Sequence, residues 1–401
     1  MRFLARIALV ATLSLSACSS PSVDVPSASE EVTDIPETAI KRQRVGNCWI
    51  FTAVAWIESL AKDSPPRGAK MTNASEAYLT YFSWADAIHD GRTDVDDLGR
   101  PVIVTSGYVS QALELVRRYG LMSESDFGVT TEETKAARAL VEAELAPGGA
   151  LDTLKKRADR VAVRRVLDRA CGLTPAVKSA LTRAFGEGLD GELAQGDLPK
   201  TIVPAASIVV GRDGERDVTL ADAIGTPIRG DEFARHRGEL AWEEIVVGDD
   251  EPVAATQRRM KASLNQRFPV PLSWAVDYDY RSEDDGSFGP QRVKQTDDAL
   301  RMHASLIDDY EIVLANGKVL PVGKVETRPE MLAATLDSGA QVRFVRVKNS
   351  WGYVSKKGVP QGGPDARGYI DLYWGYLFSK GHRRAVRMLL PPASWAHVTR
   401  P

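Results

Sequence analysis

Gln43-Arg44-Val45-Gly46-Asn47-Cys48-Trp49-Ile50-Phe51-Thr52-Ala53 changes character at its sixth residue. Before Cys48 the chain is polar and carries a glycine. After it, Ile50, Val54, Ile57 and Ala61 recur at helical spacing, with Ala53 and Leu60 beside them. Cys48 therefore stands where a loop becomes a helix. The unpaired N–H groups and the dipole at such a start favour negative charge, so the stretch predicts a thiol that ionises readily. Taken alone, a single cysteine is more often a buried residue that packs as a small hydrophobe. What surrounds it in the rest of the chain decides between the two.

Working outward, Asn73 to Trp84 reads as an aromatic-rich helix that Ser75 can cap. Ser106-Gly107-Tyr108 opens a second, with Val109, Ala112, Leu113 and Val116 on one face and Gly120 as its stop. Thr131–Glu144, Leu151–Ala170 and Thr174–Phe185 each look helical. Further on, Met260, Ala262, Leu264 and Phe268 lead into the strand-like run Pro269-Val270-Pro271-Leu272-Ser273-Trp274-Ala275-Val276. His303 sits inside another apolar run, Met302 to Ile307. Val342 to Lys348 alternates as a strand does and runs into Asn349-Ser350-Trp351-Gly352.

Three of these pieces carry a family likeness. Gly46-Asn47-Cys48-Trp49 with Phe51, His303-Ala304 with Leu306-Ile307, and Lys348-Asn349-Ser350-Trp351-Gly352, in that order, resemble the papain-like cysteine peptidases, nearer their bleomycin-hydrolase branch. The resemblance implies an α+β, two-domain papain-like fold with the active-site cleft between the domains. A helical left domain would span 39–129 and a β-rich, barrel-like right domain 256–401, closed by the strand at Gly368 to Trp374. A large, mainly helical and partly irregular insertion would fill 130–255. That insertion would account for a Cys48-to-His303 separation well above the roughly 130–150 positions of compact members.

The same resemblance implies roles. Cys48 would be the nucleophile, and His303 would hold its thiolate as an ion-pair partner and then protonate the leaving amine. Asn349 would fix the histidine tautomer, and Trp351 would shield the His–Asn bond. The oxyanion would lie between the Cys48 N–H and the Gln43 amide, although Gln43 stands five positions before Cys48 where the family usually has six. Gly107 matches the second glycine of a substrate-pairing segment, with Ser106 in place of the first. Activity of this kind predicts a bell-shaped pH profile, and the substrate would be a peptide or protein. Endopeptidase and aminopeptidase action are both open, as is the oligomeric state.

The N-terminus adds a location. Arg2, Arg6 and the apolar core Ile7–Leu15 read as an export signal over 1–17. Leu15-Ser16-Ala17-Cys18 resembles the lipobox of bacterial lipoproteins, which implies a lipid on Cys18 and attachment to the membrane through it. Ser19, rather than aspartate, follows, and the resemblance then points to the outer membrane of the cell envelope. Residues 18–38 read as a flexible tether, too short to hold a helical inhibitory propeptide before Gln43.

A net charge of −3 over 401 residues and the lack of any long Lys/Arg block argue against nucleic acid as a partner. Three cysteines, two of them already assigned, argue against a disulfide framework, and Cys171 receives no role. His89, His236, His382 and His397 match no motif. No spacing suggests a metal, and no cofactor is implied. Two other readings stand beside the peptidase: a lipoprotein that keeps the fold but binds a partner through the insertion, and a cell-wall amidase built on Cys and His.

Overall fold

The computed structural model describes residues 38–62, 69, 71–191, 193, 198–231, 233–295, 300–352 and 368–400. The export signal, the lipobox with Cys18 and nearly all of the tether lie outside them.

Helix α1 (Cys48–Ala61) is buried on almost every side, from Trp49 to Ala61. A helix apolar all round belongs at the centre of a domain, and α1 is packed by both halves of the molecule. On one side lie α2 (Glu76–His89) and α3 (Val109–Tyr119). Ser75 Oγ accepts from the Tyr78 N–H and caps α2, and Gly120 ends α3 at φ 66°. The aromatic residues of α2 are interior: Phe82 stacks on Tyr119 with ring centres 3.9 Å apart, and Tyr78 meets Phe127 edge-on. Such pairs contribute about 0.5–1.5 kcal/mol beyond their burial.

Residues within 130–255, the stretch expected as an insertion, build on this core. Helices α4 (Thr131–Leu145), α5 (Arg160–Ala170) and α6 (Pro175–Phe185) bury Val141, Leu145, Val166, Leu167, Leu181 and Phe185 in the same apolar cluster as α1 and α2. The single helix expected over 151–170 is broken, because the Asp159 side chain accepts from the Val161 and Ala162 N–H groups and starts a new one. Beyond α6 the chain forms short strands, Val209–Asp213 and Arg216–Thr219, to which the C-terminal Val398–Thr399 adds. Trp56 of α1, Trp242 of the insertion and Trp395 of the tail meet at 5.0 and 5.3 Å, joining the three.

The other half is one antiparallel sheet of β1 (Glu243–Val246), β2 (Val270–Val276), β3 (Arg301–Val313), β4 (Val319–Leu320), β5 (Gln341–Lys348), β6 (Tyr369–Tyr373) and β7 (Arg387–Leu390). Its order is β6-β5-β3-β2-β7-β1, with β4 beside β3. A barrel closed by the strand at Gly368–Trp374 was expected; among the described residues the sheet is open. Closure requires the two edges to pair with each other. Here β6 and β1 lie at opposite edges, and the backbone of Phe288 hydrogen-bonds to the free side of β6 instead. Edge strand β1 comes from within 130–255, so that stretch also supplies part of the sheet.

Candidate active site

Cys48 is the first residue of α1 and is partly exposed. Asn47 before it makes no side-chain cap; its Nδ2 donates to Thr80 Oγ1 at 2.8 Å and ties the start of α1 to α2. The first-turn N–H groups of α1 are thus not taken by a cap, and those of Cys48 and Trp49 are directed to the sulfur. A third donor, the Ala304 N–H, reaches it from β3. The sulfur therefore sits between the start of the helix and the strand that carries His303.

The expectation of a readily ionised thiol does not hold in this geometry. Burial pushes the Cys48 thiol up, and the three backbone donors recover only part of that shift. What the helix start favours, the loss of water outweighs.

His303 is 6% exposed and Asn349 2%. Because Asn349 directly follows β5 and β5 pairs with β3, the two side chains meet: His303 Nε2 lies 2.7 Å from Asn349 Oδ1. An amide oxygen accepts, so Nε2 carries the proton and Nδ1 keeps its lone pair. The Trp351 ring centre lies 4.8 Å from that of the imidazole, the two planes tilted by 36°. A second indole was not foreseen. Trp274, opposite His303 in the β2–β3 register, stands edge-on to it at 5.7 Å. Between the two indoles the imidazole loses water, and burial pushes it down to about 4, with the bond to Asn349 opposing. Periodicity marks Trp274 only as a strand residue, so nothing in the sequence sets it apart.

Gln43 is held at the same turn. Its N–H donates to Ser350 O at 2.8 Å, its Oε1 accepts from Ser350 Oγ at 2.5 Å, and its Nε2 donates to Val45 O at 3.1 Å. One N–H of the amide remains beyond that last bond. Ser106 and Gly107 lie beside Trp49, the residue after Cys48. The Trp49 indole N–H donates to Thr105 O at 2.8 Å, and a Cβ on Gly107 would come within 2.6 Å of the same ring. Only glycine lets this segment lie flat on Trp49, and Ser106 is left exposed to solvent.

Behind the site is a buried ion cluster that sequence reading missed. Lys41 Nζ donates to Glu58 Oε1 (3.2 Å), Glu76 Oε2 (3.1 Å) and Ala74 O (2.8 Å). Lys348 Nζ, from the sheet half, donates to Thr38 O at 2.8 Å and also meets Thr38 Oγ1. Lys41, Glu58, Glu76, Lys348 and Asn349 help line a cavity of about 20 Å³, enough for one water. Burial and the neighbouring Glu58 push Glu76 up, against the pull of Lys41. Burial pulls Lys41 down, but Glu76 and Glu58 more than restore it. Residues 38–43 thus form a strap. They reach α1 and α2 through Lys41, and the 349–351 turn through Gln43 and the Arg42–Trp351 bridge. One signal could have found the cluster: Glu58 is a lone carboxylate on an otherwise apolar helix.

No family model matches the chain, and no curated protein matches it. Among solved structures it is similar to xylellain, a cysteine protease from Xylella fastidiosa, at 13% identity and a TM-score of 0.39 over 90% of this chain and 85% of that one. It is also similar to a clostridial cysteine protease, Cwp84, in its form after propeptide cleavage (11%, 0.35, 92% and 56%). A third is the bromelain protease from Ananas comosus in complex with the E64 inhibitor (16%, 0.31, 88% and 93%). Likeness of this degree says nothing of function by itself. The residues of this chain have to carry that.

Proposed function

We propose that the protein is a papain-like cysteine peptidase that hydrolyses peptide bonds through Cys48, His303 and Asn349. The observation that carries this reading is the buried 2.7 Å bond from His303 Nε2 to Asn349 Oδ1, made beside the strand residue whose N–H meets the Cys48 sulfur. That bond leaves His303 Nδ1 as the base. Cys48 Sγ attacks the substrate carbonyl carbon as Nδ1 takes the thiol proton. The oxyanion is held by the Cys48 N–H, with the Gln43 amide as second donor. Protonated His303 then gives its proton to the departing amine, leaving a thioester, and water delivered through the same base releases the acid.

Burial that raises the thiol and lowers the imidazole makes the resting pair neutral, rather than the ion pair that the resemblance implied. The reactive state carries one proton shared by the pair. It is lost when His303 gains a second, near pH 4, or when the thiol loses its own, above the ordinary thiol range. The expected kcat/KM profile is therefore a broad plateau from about pH 5 to beyond about 8, not a narrow bell. An acid limb at about pH 6–7, with the fold intact by circular dichroism, would contradict this pairing.

The function itself is tested by incubating the full chain with an epoxysuccinyl thiol reagent and locating the adduct by mass spectrometry. Attachment at Cys48 with parallel loss of peptide hydrolysis is expected; unmodified Cys48 in folded protein would refute the peptidase reading. We place the enzyme in the cell envelope, anchored by lipid on Cys18, on the strength of the Leu15–Cys18 motif.

A further inference from the structure

The segment that runs through Ser106 and Gly107 continues into Tyr108, and the insertion returns to this point. Its hairpin, Thr226–Pro227 paired with His236–Arg237, brings Phe233 edge-on to Tyr108 at 5.0 Å. The Phe233 carbonyl accepts from Ser110 Oγ at 2.5 Å, which fixes the tip there. Arg387 of β7 places its guanidinium 3.9 Å from the centre of the Phe233 ring and 4.7 Å from that of Tyr108.

Register relates Arg387 to the reacting atoms. It pairs with Ser273 of β2, which pairs with Ala304 of β3. Residues paired directly across strands share a face of the sheet. Arg387 is thus on the face of Ala304, whose N–H meets the Cys48 sulfur. Two strand spacings put it roughly 10 Å from β3, a distance that an extended peptide covers in about two to three residues.

Its charge is not spoken for. Arg387 Nη1 is buried and makes no hydrogen bond, and among the described residues no carboxylate comes within salt-bridge distance. The neighbouring Arg235 is paired with Asp231 and Asp250. Glu244 of β1, the acid nearest in effect, is turned instead toward the N–H of Ser110 in the first turn of α3, although its Oε2 lacks a partner. Burial pushes Glu244 up, with Ser110 and Arg387 opposing. An arriving carboxylate would therefore meet a neighbour that readily takes a proton. A buried cationic donor left unmade is costly, and such groups mark places where a partner arrives.

We propose that Arg387, walled by Tyr108 and Phe233, selects an acidic side chain two residues to the amino side of the scissile bond. A guanidinium covered on its faces by aromatic rings keeps its edge for an in-plane carboxylate. The assignment rests on the peptidase reading and names the substrate class of that same site.

The test is a fluorogenic peptide library, varied at the three positions before the scissile bond and cleaved by the full-length protein. Asp or Glu at the second position should raise kcat/KM at least about tenfold over Lys. Arg387→Met should level that preference, and Arg387→Glu should reverse it toward Lys and Arg. No acidic preference in the unaltered protein, or one that survives in Arg387→Met, overturns the assignment. The unaltered protein's profile decides the matter even if Arg387→Glu fails to fold. Epoxysuccinyl labelling of Cys48 separates the two levels. Labelling without charge preference sinks this assignment alone, and absence of both labelling and cleavage sinks the peptidase reading with it.

Discussion

Cys48→Ala is expected to abolish peptide hydrolysis, lowering kcat by at least about 10⁴-fold while the fold persists. The alanine removes one sulfur atom at the start of α1 and puts the strongest helix former in its place. His303→Ala should cost a similar factor, because a thiol held protonated by burial cannot attack without a base to take its proton. The double variant should then be little worse than either single one, since groups that act as a unit do not contribute additively. Single-turnover kinetics on one fluorogenic peptide, with thermal unfolding recorded alongside, give the comparison. A few per cent of activity surviving in Cys48→Ala would remove the sulfur from the mechanism.

The second large effect is on stability. Lys41→Met should destabilise the protein by about 3–5 kcal/mol, the usual cost of breaking a buried charge cluster from one side. Lys41 is the ion-pair partner of both Glu58 and Glu76, whose side chains are 2% and 5% exposed. Without the ammonium the two carboxylates face each other, and the folded-state pKa of Glu76, already raised, climbs further above its unfolded value. The folded protein then binds more protons than the unfolded chain, so its stability falls as pH rises. The deficit of Lys41→Met should accordingly be smaller at about pH 5 than at about pH 8 by urea unfolding. An equal deficit at both would mean that the loss is of packing rather than of charge.

Cys48, His303 and Asn349 could be singled out because each lies in a short run of fixed chemistry: Cys48-Trp49, His303-Ala304, Asn349-Ser350-Trp351. The caps at Ser75 and Gly120 were legible for the same reason, since a cap is decided within one turn. What escaped depends on residues far apart in the chain. Whether the sheet closes is a matter of which edges meet, and neither β6 nor the unforeseen edge strand β1 announces that locally. The state of the thiol is set by how much protein surrounds it, and a helix start read in isolation predicts the opposite direction. Trp274 reaches His303 only through cross-strand register. Lys41, Glu58, Glu76 and Lys348 form their cluster only once the strap has been laid across both halves.

That strap bears on the order in which the protein comes into being. Gln43 and Ser350 hold each other although they are 307 positions apart, and His303 and Asn349 are both made long after Cys48. A ribosome that has released Cys48 has still to make His303 and the amide bonded to it. The nascent chain therefore carries the Cys48 thiol well before the side chains proposed to act with it. Contacts of such long range also form slowly. The first described segment is thus seated against a turn made 307 positions later, and the site it helps to frame is whole only once that turn has emerged.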